Sequence, residues 1–317
     1  MMPGVLEIMR AGVGSTIQDR GRLLFRRYGV TPAGPMDWVA FRTANFALGN
    51  DNDAAAIEIG PGWFEIRADC SIPVAFCGGA FNWTLDGKAL GQAARITLQP
   101  GQRLAATPGA SGVFSYLAVA GGLATPPVLS SRATHTRAHL GGIDGRMLRD
   151  GDRLPLSATS FSPQTNAAIT APRLAGDSQP LRVVPGPQDD YFTADALATF
   201  FASEFRVSRR TDRMAYRLDG PNIAHARDFN IVSDGIAPGA IQIAGDGQPL
   251  VLMADHPPTG GYPKLGHLIR ADIARLAQMR AGAVCRFAPI EVEAARQLLI
   301  AQEAAIAHTY DYLRGAG

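Results

Sequence analysis

Glycine and proline interrupt this chain about every sixth residue, with 35 and 22 of them among 317. That spacing leaves room for short strands and little for long helices. Runs rich in β-branched and aromatic residues fill the intervals. Examples are Val5-Leu6-Glu7-Ile8, Ile72-Pro73-Val74-Ala75-Phe76 and Phe114-Ser115-Tyr116-Leu117-Ala118-Val119. Asp86-Gly87 follows Phe81-Asn82-Trp83-Thr84-Leu85 and precedes a second short segment. That dipeptide suits a two-residue hairpin turn, whose central residues both need positive φ. One small pattern also recurs three times: Leu98-x-x-Gly101-x-x-Leu104, Leu148-x-x-Gly151-x-x-Leu154 and Met279-x-x-Gly282-x-x-Cys285. Each reads as a glycine turn leading into a strand. The fold expected is mainly β with a few helices.

Four helices are predicted. Asp37 caps one running to about Leu48, with Gly49 as its stop. A second covers residues 193–205 and buries Leu197, Phe200 and Phe201. Asp272 opens a short third through Ile273 and Leu276. Val292, Ala295, Leu299 and Ile306 form the apolar stripe of a C-terminal helix reaching about Leu313. At ~150 residues per domain the length suggests two units. Residues 157–180 are rich in Ser, Thr, Ala and Pro, with Arg173 and Asp177 as their only charges. They read as a connection, giving units over residues 1–160 and 181–317, the second carrying the C-terminal helix, with a linker over 161–180.

Several classes are excluded. Hydrophobic residues make up 46% of the chain and the net charge is only +2, which argues against disorder and against nucleic-acid binding by bulk charge. Three cysteines are too few for a disulfide scaffold. No run reaches the ~18 apolar residues of a membrane span. The start lacks a basic region followed by an apolar run, so a cytoplasmic location is expected. Nucleotide loops fail: Gly87-Lys88 has Asn82 for the first glycine of a phosphate loop and Ala89 after the lysine. Gly12-x-Gly14 meets Ile17 where a dinucleotide loop needs glycine. His135 and His139 have helical metal-site spacing but lack the intervening glutamate, so no metal is expected. Arg206, Arg209, Arg210, Arg213 and Arg217 read either as an anion-facing group or as a solvated face.

Of the 30 basic residues only Lys88 and Lys264 are lysine. Lys88 follows the expected hairpin turn. Lys264 ends a denser tract. There an apolar segment, residues 249–254, runs into Asp255-His256-Pro257-Pro258-Thr259-Gly260-Gly261-Tyr262-Pro263-Lys264. Adjacent glycines allow close backbone approach and can turn N–H groups toward an anion. Tyr262 adds a hydroxyl, and Lys264 a compact cation. An ordinary β-turn with an exposed lysine accounts for the spacing equally well.

This tract and four others resemble the biotin-dependent carboxyltransferase family, also called allophanate hydrolase subunit 2, KipA or the 5-oxoprolinase subunit-C family. The others begin with Thr16-Ile17-Gln18-Asp19-Arg20-Gly21-Arg22, running on to Tyr28-Gly29-Val30-Thr31-Pro32-Ala33-Gly34-Pro35-Met36-Asp37. Tyr116-Leu117-Ala118-Val119-Ala120-Gly121-Gly122 is followed by Ser131-Arg132-Ala133-Thr134. Val184-Pro185-Gly186-Pro187-Gln188-Asp189 opens the second half, and Thr211-Asp212-Arg213-Met214-Ala215-Tyr216-Arg217-Leu218 continues it.

The resemblance implies two cyclophilin-like β-barrel units. It implies a subunit of a heteromeric enzyme acting on a small amide or lactam, 5-oxoproline or a urea-like acceptor, and inactive alone. Its implied partner is a subunit-B (KipI-like) protein, together with a LamB/YcsF-type subunit or a biotin carboxyl carrier. Biotin would be presented by the carrier, and ATP bound by partner subunits. A regulatory KipA-type protein that binds a KipI-like partner without catalysis is the alternative. In carboxyl transfer negative charge develops on a ureido oxygen, and preorganised donors stabilise it. The N–H groups of Gly260 and Gly261 are the donors expected, with Thr259 and His256 beside them. Arg213 is assigned to a carboxylate, or else to a structural ion pair. Tyr262 and Lys264 are assigned to proton transfer. Asp212 and Asp37 are ligand-orienting acceptors, and Asp37 serves equally as a helix cap.

Overall fold

The computed structural model describes residues 4–157, 165–170 and 179–315. Most of the expected linker therefore lies outside the described residues. The chain divides into two compact units. One comprises Met1–Leu23, Ala33–Pro172 and Glu303–Gly317; the other comprises Leu24–Pro32 and Arg173–Gln302. The second unit thus takes in nine residues from the N-terminal half, and its last boundary falls inside the C-terminal helix Val292–Gly315.

The first unit holds two six-stranded antiparallel sheets. One runs in the order Arg153–Pro155, Val5–Ala11, Phe64–Ala68, Arg103–Pro108, Phe81–Leu85, Lys88–Ala89. The other runs Ala167–Ala168, Ala94–Leu98, Ile72–Cys77, Ser115–Val119, Ala56–Ile59, Thr16–Gln18. Leu6, Ile8, Ile66 and Trp83 of the first share one buried cluster with Ile57, Val74, Phe76 and Leu117 of the second. Phe76 stacks on Trp83, ring centroids 4.2 Å apart. Strand Phe64–Ala68 alternates buried and half-buried residues, as a sheet with one covered face requires. Ile72–Cys77 and Ser115–Val119 are buried throughout, because helix Trp38–Ala47 packs on their other face. Asp86 and Gly87 both have positive φ and join Leu85 to Lys88 as a two-residue turn.

The second unit is built on one eight-stranded sheet. Its order is Val284–Cys285, Phe205–Val207, Ala215–Asp219, Pro249–Leu252, Ala240–Ile243, Lys264–Leu268, Leu181–Pro185, Phe287–Pro289. The two outermost strands are consecutive in the chain, with only Arg286 between them. The sheet therefore curls until its edges nearly meet, forming a barrel. Phe200 of helix Ala194–Ala202 stacks on Phe287, centroids 4.7 Å apart, and packs beside Phe205.

The recurring glycine pattern has one geometry in both units. Gly101, Gly151 and Gly282 have φ of 84°, 87° and 87°. Each donates its N–H across to a neighbouring segment: to Ala68, Ile8 and Val207 at 2.8, 2.7 and 2.7 Å. A strand follows each of them two residues later.

The helices depart from expectation in detail. The second ends at Ala202, and Phe205 has already entered a strand. It fully buries Phe200, while Leu197 and Phe201 are half-buried. Asp272 lies inside helix Arg270–Ala277, whose cap position is Ile269. There it is wholly buried and takes two hydrogen bonds from the Arg182 side chain, at 2.8 and 2.6 Å. In the C-terminal helix Ile306 is buried but Val292 is 67% exposed, so the apolar stripe begins later than its spacing suggests.

Candidate functional site

Strand Pro249–Leu252 brings the chain to Asp255, and the glycine tract returns it to strand Lys264–Leu268. Between them Thr259–Gly260 pairs with Asp234–Gly235 as a two-stranded ribbon, Gly260 opposite Asp234 and Thr259 opposite Gly235. This ribbon organises the site.

Lys264 is buried, and its Nζ donates to Asp234 Oδ2 at 2.6 Å. The pair is asymmetric: the lysine side chain is 2% exposed and the aspartate side chain 53%. The Lys264 hydrogen bond, and after it the Gly235 N–H, hold the Asp234 carboxyl below the usual carboxylate range. Gln188 closes the group. Its Oε1 accepts the Lys264 backbone N–H at 3.1 Å, and its Nε2 lies 3.3 Å from Asp234 Oδ2. The Gln188 N–H returns a bond to the Lys264 carbonyl at 3.2 Å. The strand Leu181–Pro185, which leads into Gly186-Pro187-Gln188, runs antiparallel to Lys264–Leu268, so two motifs far apart in sequence become neighbours. His267 lies on that strand with Nδ1 3.3 Å from the Gly186 carbonyl. Burial, partly offset by that bond, lowers its pKa.

The glycines do not form the expected nest. Neither Gly260 nor Gly261 adopts positive φ, which an alternating anion nest requires. Gly260 is demanded by space instead. A Cβ there would lie 2.5 Å from Ile236 Cδ1 and 2.9 Å from Gln242 Nε2. At Gly261 the nearest atoms would be 3.5 Å away or farther. Gln242 is buried and donates from Nε2 to the Tyr262 carbonyl at 3.1 Å, fixing the turn into Lys264. The Tyr262 side chain is exposed, as is that of Thr259.

At the other end of the tract, Arg213 binds Asp255 through two parallel hydrogen bonds of 3.0 and 2.9 Å. Both side chains are largely buried. Of the two readings of Arg213, this geometry is that of an ion pair with carboxylate supplied by the protein. Asp212 accepts the Met214 and Ala215 N–H groups at 2.8 and 3.2 Å, shaping the turn into strand Ala215–Asp219. The arginine group does not converge: Arg217 pairs with Asp246, and Arg206 donates to the Gly282 carbonyl. His256 is wholly buried. A carbonyl can only accept, so its Nδ1–H donates to Met253 O at 2.7 Å. Burial, offset in part by that bond and reinforced by the Arg26 charge, lowers its pKa and leaves the ring neutral at pH 7.

Asp37 lies in the first unit. Its Oδ1 accepts the Ala40 N–H at 2.9 Å, capping helix Trp38–Ala47. Its own N–H donates to Tyr116 Oη at 2.7 Å, and Tyr116 donates to Glu58 Oε2 at 2.7 Å. The other N-terminal motifs bind one another in that unit. Asp19 accepts from Ser131 Oγ at 2.6 Å, Arg22 donates to the Ala133 carbonyl, and Gln18 holds Gly34 and Thr134.

The structure thus gathers Lys264, Gly260, Thr259 and Tyr262 around the ribbon, and sets Arg213 and His256 at the end of the same tract. Asp212 stands beside Arg213 but serves its turn, and Asp37 stands elsewhere. Asp234 and Gln188 were passed over by sequence reasoning. Gln188 lies inside the Val184–Asp189 motif and Asp234 upstream of the glycine tract, and their pairing with Lys264 spans 76 and 30 residues, which spacing does not reveal. Among the described residues no group of three or more histidine, cysteine, aspartate or glutamate side chains could hold a metal ion. No helix among them is long and apolar enough to cross a membrane.

Comparison with known proteins agrees with this architecture. The model of the family "Carboxyltransferase domain, subdomain A and B" matches residues 28–289. The 5-oxoprolinase subunit-C protein of Escherichia coli (strain K12) is 37% identical over 291 residues, covering 92% of this chain and 93% of the relative. That of Haemophilus influenzae is 32% identical, covering 93% and 94%. The urea amidolyase of Saccharomyces cerevisiae is 31% identical over 324 residues, 96% of this chain but 18% of that protein. Among solved structures, Kluyveromyces lactis urea amidolyase superposes with a TM-score of 0.90 at 28% identity over 98% of this chain. The chain spans about a fifth of that structure's length (20%). With a family model across most of its length and relatives matched nearly end to end, the chain belongs to the biotin-dependent carboxyltransferase family.

Proposed function

We propose that this chain is the subunit-C component of a heteromeric enzyme that opens a small cyclic amide, with 5-oxoproline as substrate. The observation that carries the reading is the pairing of an exposed carboxylate, Asp234, with a buried cation, Lys264, beside the Gln188 amide. A cyclic amide presents its N–H donor and its carbonyl acceptor on one edge. Asp234 offers the acceptor for the first, and the Gln188 amide the donor for the second. Lys264 is buried behind Asp234, so its part is to keep that carboxylate ionised and aimed. An ionised carboxylate at the ring N–H orients the amide, and the Gln188 donor stabilises the negative charge that develops on its carbonyl oxygen as the ring is attacked. The nearly end-to-end similarity to the 5-oxoprolinase subunit-C proteins supports the choice of substrate.

A ureido ring has the same edge. Asp234 and Gln188 are therefore also the residues that would hold a biotin presented by a carrier protein, and biotin's contribution when bound is the transferable carboxyl group. ATP is bound by partner subunits, the subunit-B (KipI-like) protein and a LamB/YcsF-type protein.

The test is reconstitution. The chain is co-purified with its subunit-B and LamB/YcsF-type partners, and glutamate and ADP are measured with 5-oxoproline and ATP. Glutamate formed only by the full set is the expected result. An assembled complex that turns over neither 5-oxoproline nor a panel of amides, yet binds a kinase, overturns the reading in favour of the regulatory KipA-type role. Turnover abolished by avidin would move the assignment to biotin-dependent carboxyl transfer.

A further inference from the structure

We propose that Arg26 is a positioning residue: by binding the Ile236 carbonyl it holds the ribbon that carries Asp234. The proposal rests on Asp234 being the exposed end of the site, as read above.

The ribbon cannot hold itself. Asp234–Gly235 and Thr259–Gly260 are two residues each, and a two-stranded hairpin of even normal length is marginal in water. Asp234, Gly235 and Thr259 are exposed, so burial does not anchor these residues either. The anchor begins at Ile236, whose side chain is buried against the Gly260 position. Its N–H donates to the Pro258 carbonyl at 2.9 Å. Its carbonyl accepts from Arg26 Nη2.

Arg26 reaches this point because Leu24–Pro32 belongs to the second unit. The short helix Arg26–Tyr28 presents the guanidinium, and Thr31 Oγ1 makes a second tie, donating to the His256 carbonyl at 3.2 Å. The His256 ring also reaches the Ile236 backbone. Its Nδ1–H is already committed to Met253 at 2.7 Å, and in the neutral ring Nε2 carries no proton to donate. The charged donor on the Ile236 carbonyl is therefore Arg26, and charge-assisted bonds are roughly twice as strong as neutral ones. Arg27, the next residue, lies over the Tyr28 ring at 4.8 Å and makes the natural control.

Two measurements test the role. In the full-length chain, amide hydrogen exchange at Gly235, Ile236 and Gly260 reports ribbon opening. Arg26→Ala is expected to speed it about tenfold or more, as loss of a charged hydrogen bond implies. Added guanidinium is expected to slow it again, and Arg27→Ala to leave it at the wild-type rate. In the assembled enzyme Arg26→Ala is expected to lower kcat/KM about tenfold, with the same rescue. Unchanged ribbon exchange in a folded Arg26→Ala chain overturns the proposal, as does equal loosening by Arg27→Ala. Where alanine unfolds the chain, Arg26→Gln keeps a shorter neutral donor: ribbon exchange still rises if the proposal is right and stays at wild type if it is wrong. Exchange is read without partners or substrate. An assembly that shows no turnover would therefore sink the functional reading, while the exchange rates would still decide the role of Arg26.

Discussion

Lys264 Nζ lies 2.6 Å from Asp234 Oδ2, yet the lysine side chain is 2% exposed and the aspartate 53%. A buried ammonium is thus satisfied by a carboxylate that faces outward. Only the aspartate can meet a ligand and keep its counter-ion at once. Asp234→Asn is expected to lower turnover of the assembled enzyme about tenfold to a hundredfold, the scale of a lost hydrogen bond to a charged group. Lys264→Arg keeps the charge but not the compact shape, and is expected to lose activity as well. Full activity in both variants would remove this pair from the mechanism.

The same pair sets a pH dependence. The folded-state pKa of Asp234 lies below its unfolded value, chiefly through the Lys264 hydrogen bond. Its contribution to stability is therefore complete above the ordinary aspartate range and fades as pH falls through the depressed value. Carboxyl carbon NMR is expected to show Asp234 titrating below free aspartate, and Lys264→Met to move it upward. A wild-type titration at the ordinary value contradicts this.

Arg213 and Asp255 are expected to act on stability first. Removing one member of a largely buried, two-bond pair leaves the other charge unpaired, at a cost of about 3 kcal/mol. Denaturant unfolding of Arg213→Ala measures it. The double change Arg213→Ala with Asp255→Ala is expected to cost less than the sum of the single changes. An Arg213→Ala chain as stable as wild type but inactive would instead assign Arg213 to substrate.

The two tract glycines are expected to differ. Alanine at Gly260 drives a methyl group against Ile236 and Gln242, an overpacking cost of about 1–3 kcal/mol. Alanine at Gly261 meets only ordinary contact distances and is expected to be near neutral. Thermal melts of the two variants decide it. Equal sensitivity would point to a ligand-approach role shared by both positions.

Asp37 is expected to behave as a cap. Asp37→Ala should cost about 1 kcal/mol, and Asp37→Ser, which keeps an acceptor for the Ala40 N–H, should recover most of it. Turnover per folded complex is expected to be unchanged in both. A fall in kcat for the stable serine variant would restore Asp37 as a ligand-orienting acceptor.

Local chemistry made much of this readable. Asp86-Gly87, the Asp37 cap and the three glycine turns depend on residues within a few positions of one another, and the structure contains each of them. The C-terminal stripe failed at Val292 because periodicity marks a face without saying where a neighbour begins to cover it. The nest failed at Gly260-Gly261 for a related reason. Glycine permits positive φ but equally permits close packing, and only the position of Ile236 distinguishes the two.

The chain's own order determined the β-rich architecture, its turns and its kinship, since each rests on neighbours in sequence or on motifs met in succession. It also singled out Lys264 by the rarity of lysine. The tertiary structure decided what Lys264 faces, that Arg213 already has its carboxylate, and that Leu24–Pro32 joins the second unit and ties down Ile236. Those relations link residues 30, 42 and 210 positions apart. Such partners are chosen by barrel closure and burial, which bring distant side chains together without leaving a periodic trace in the sequence.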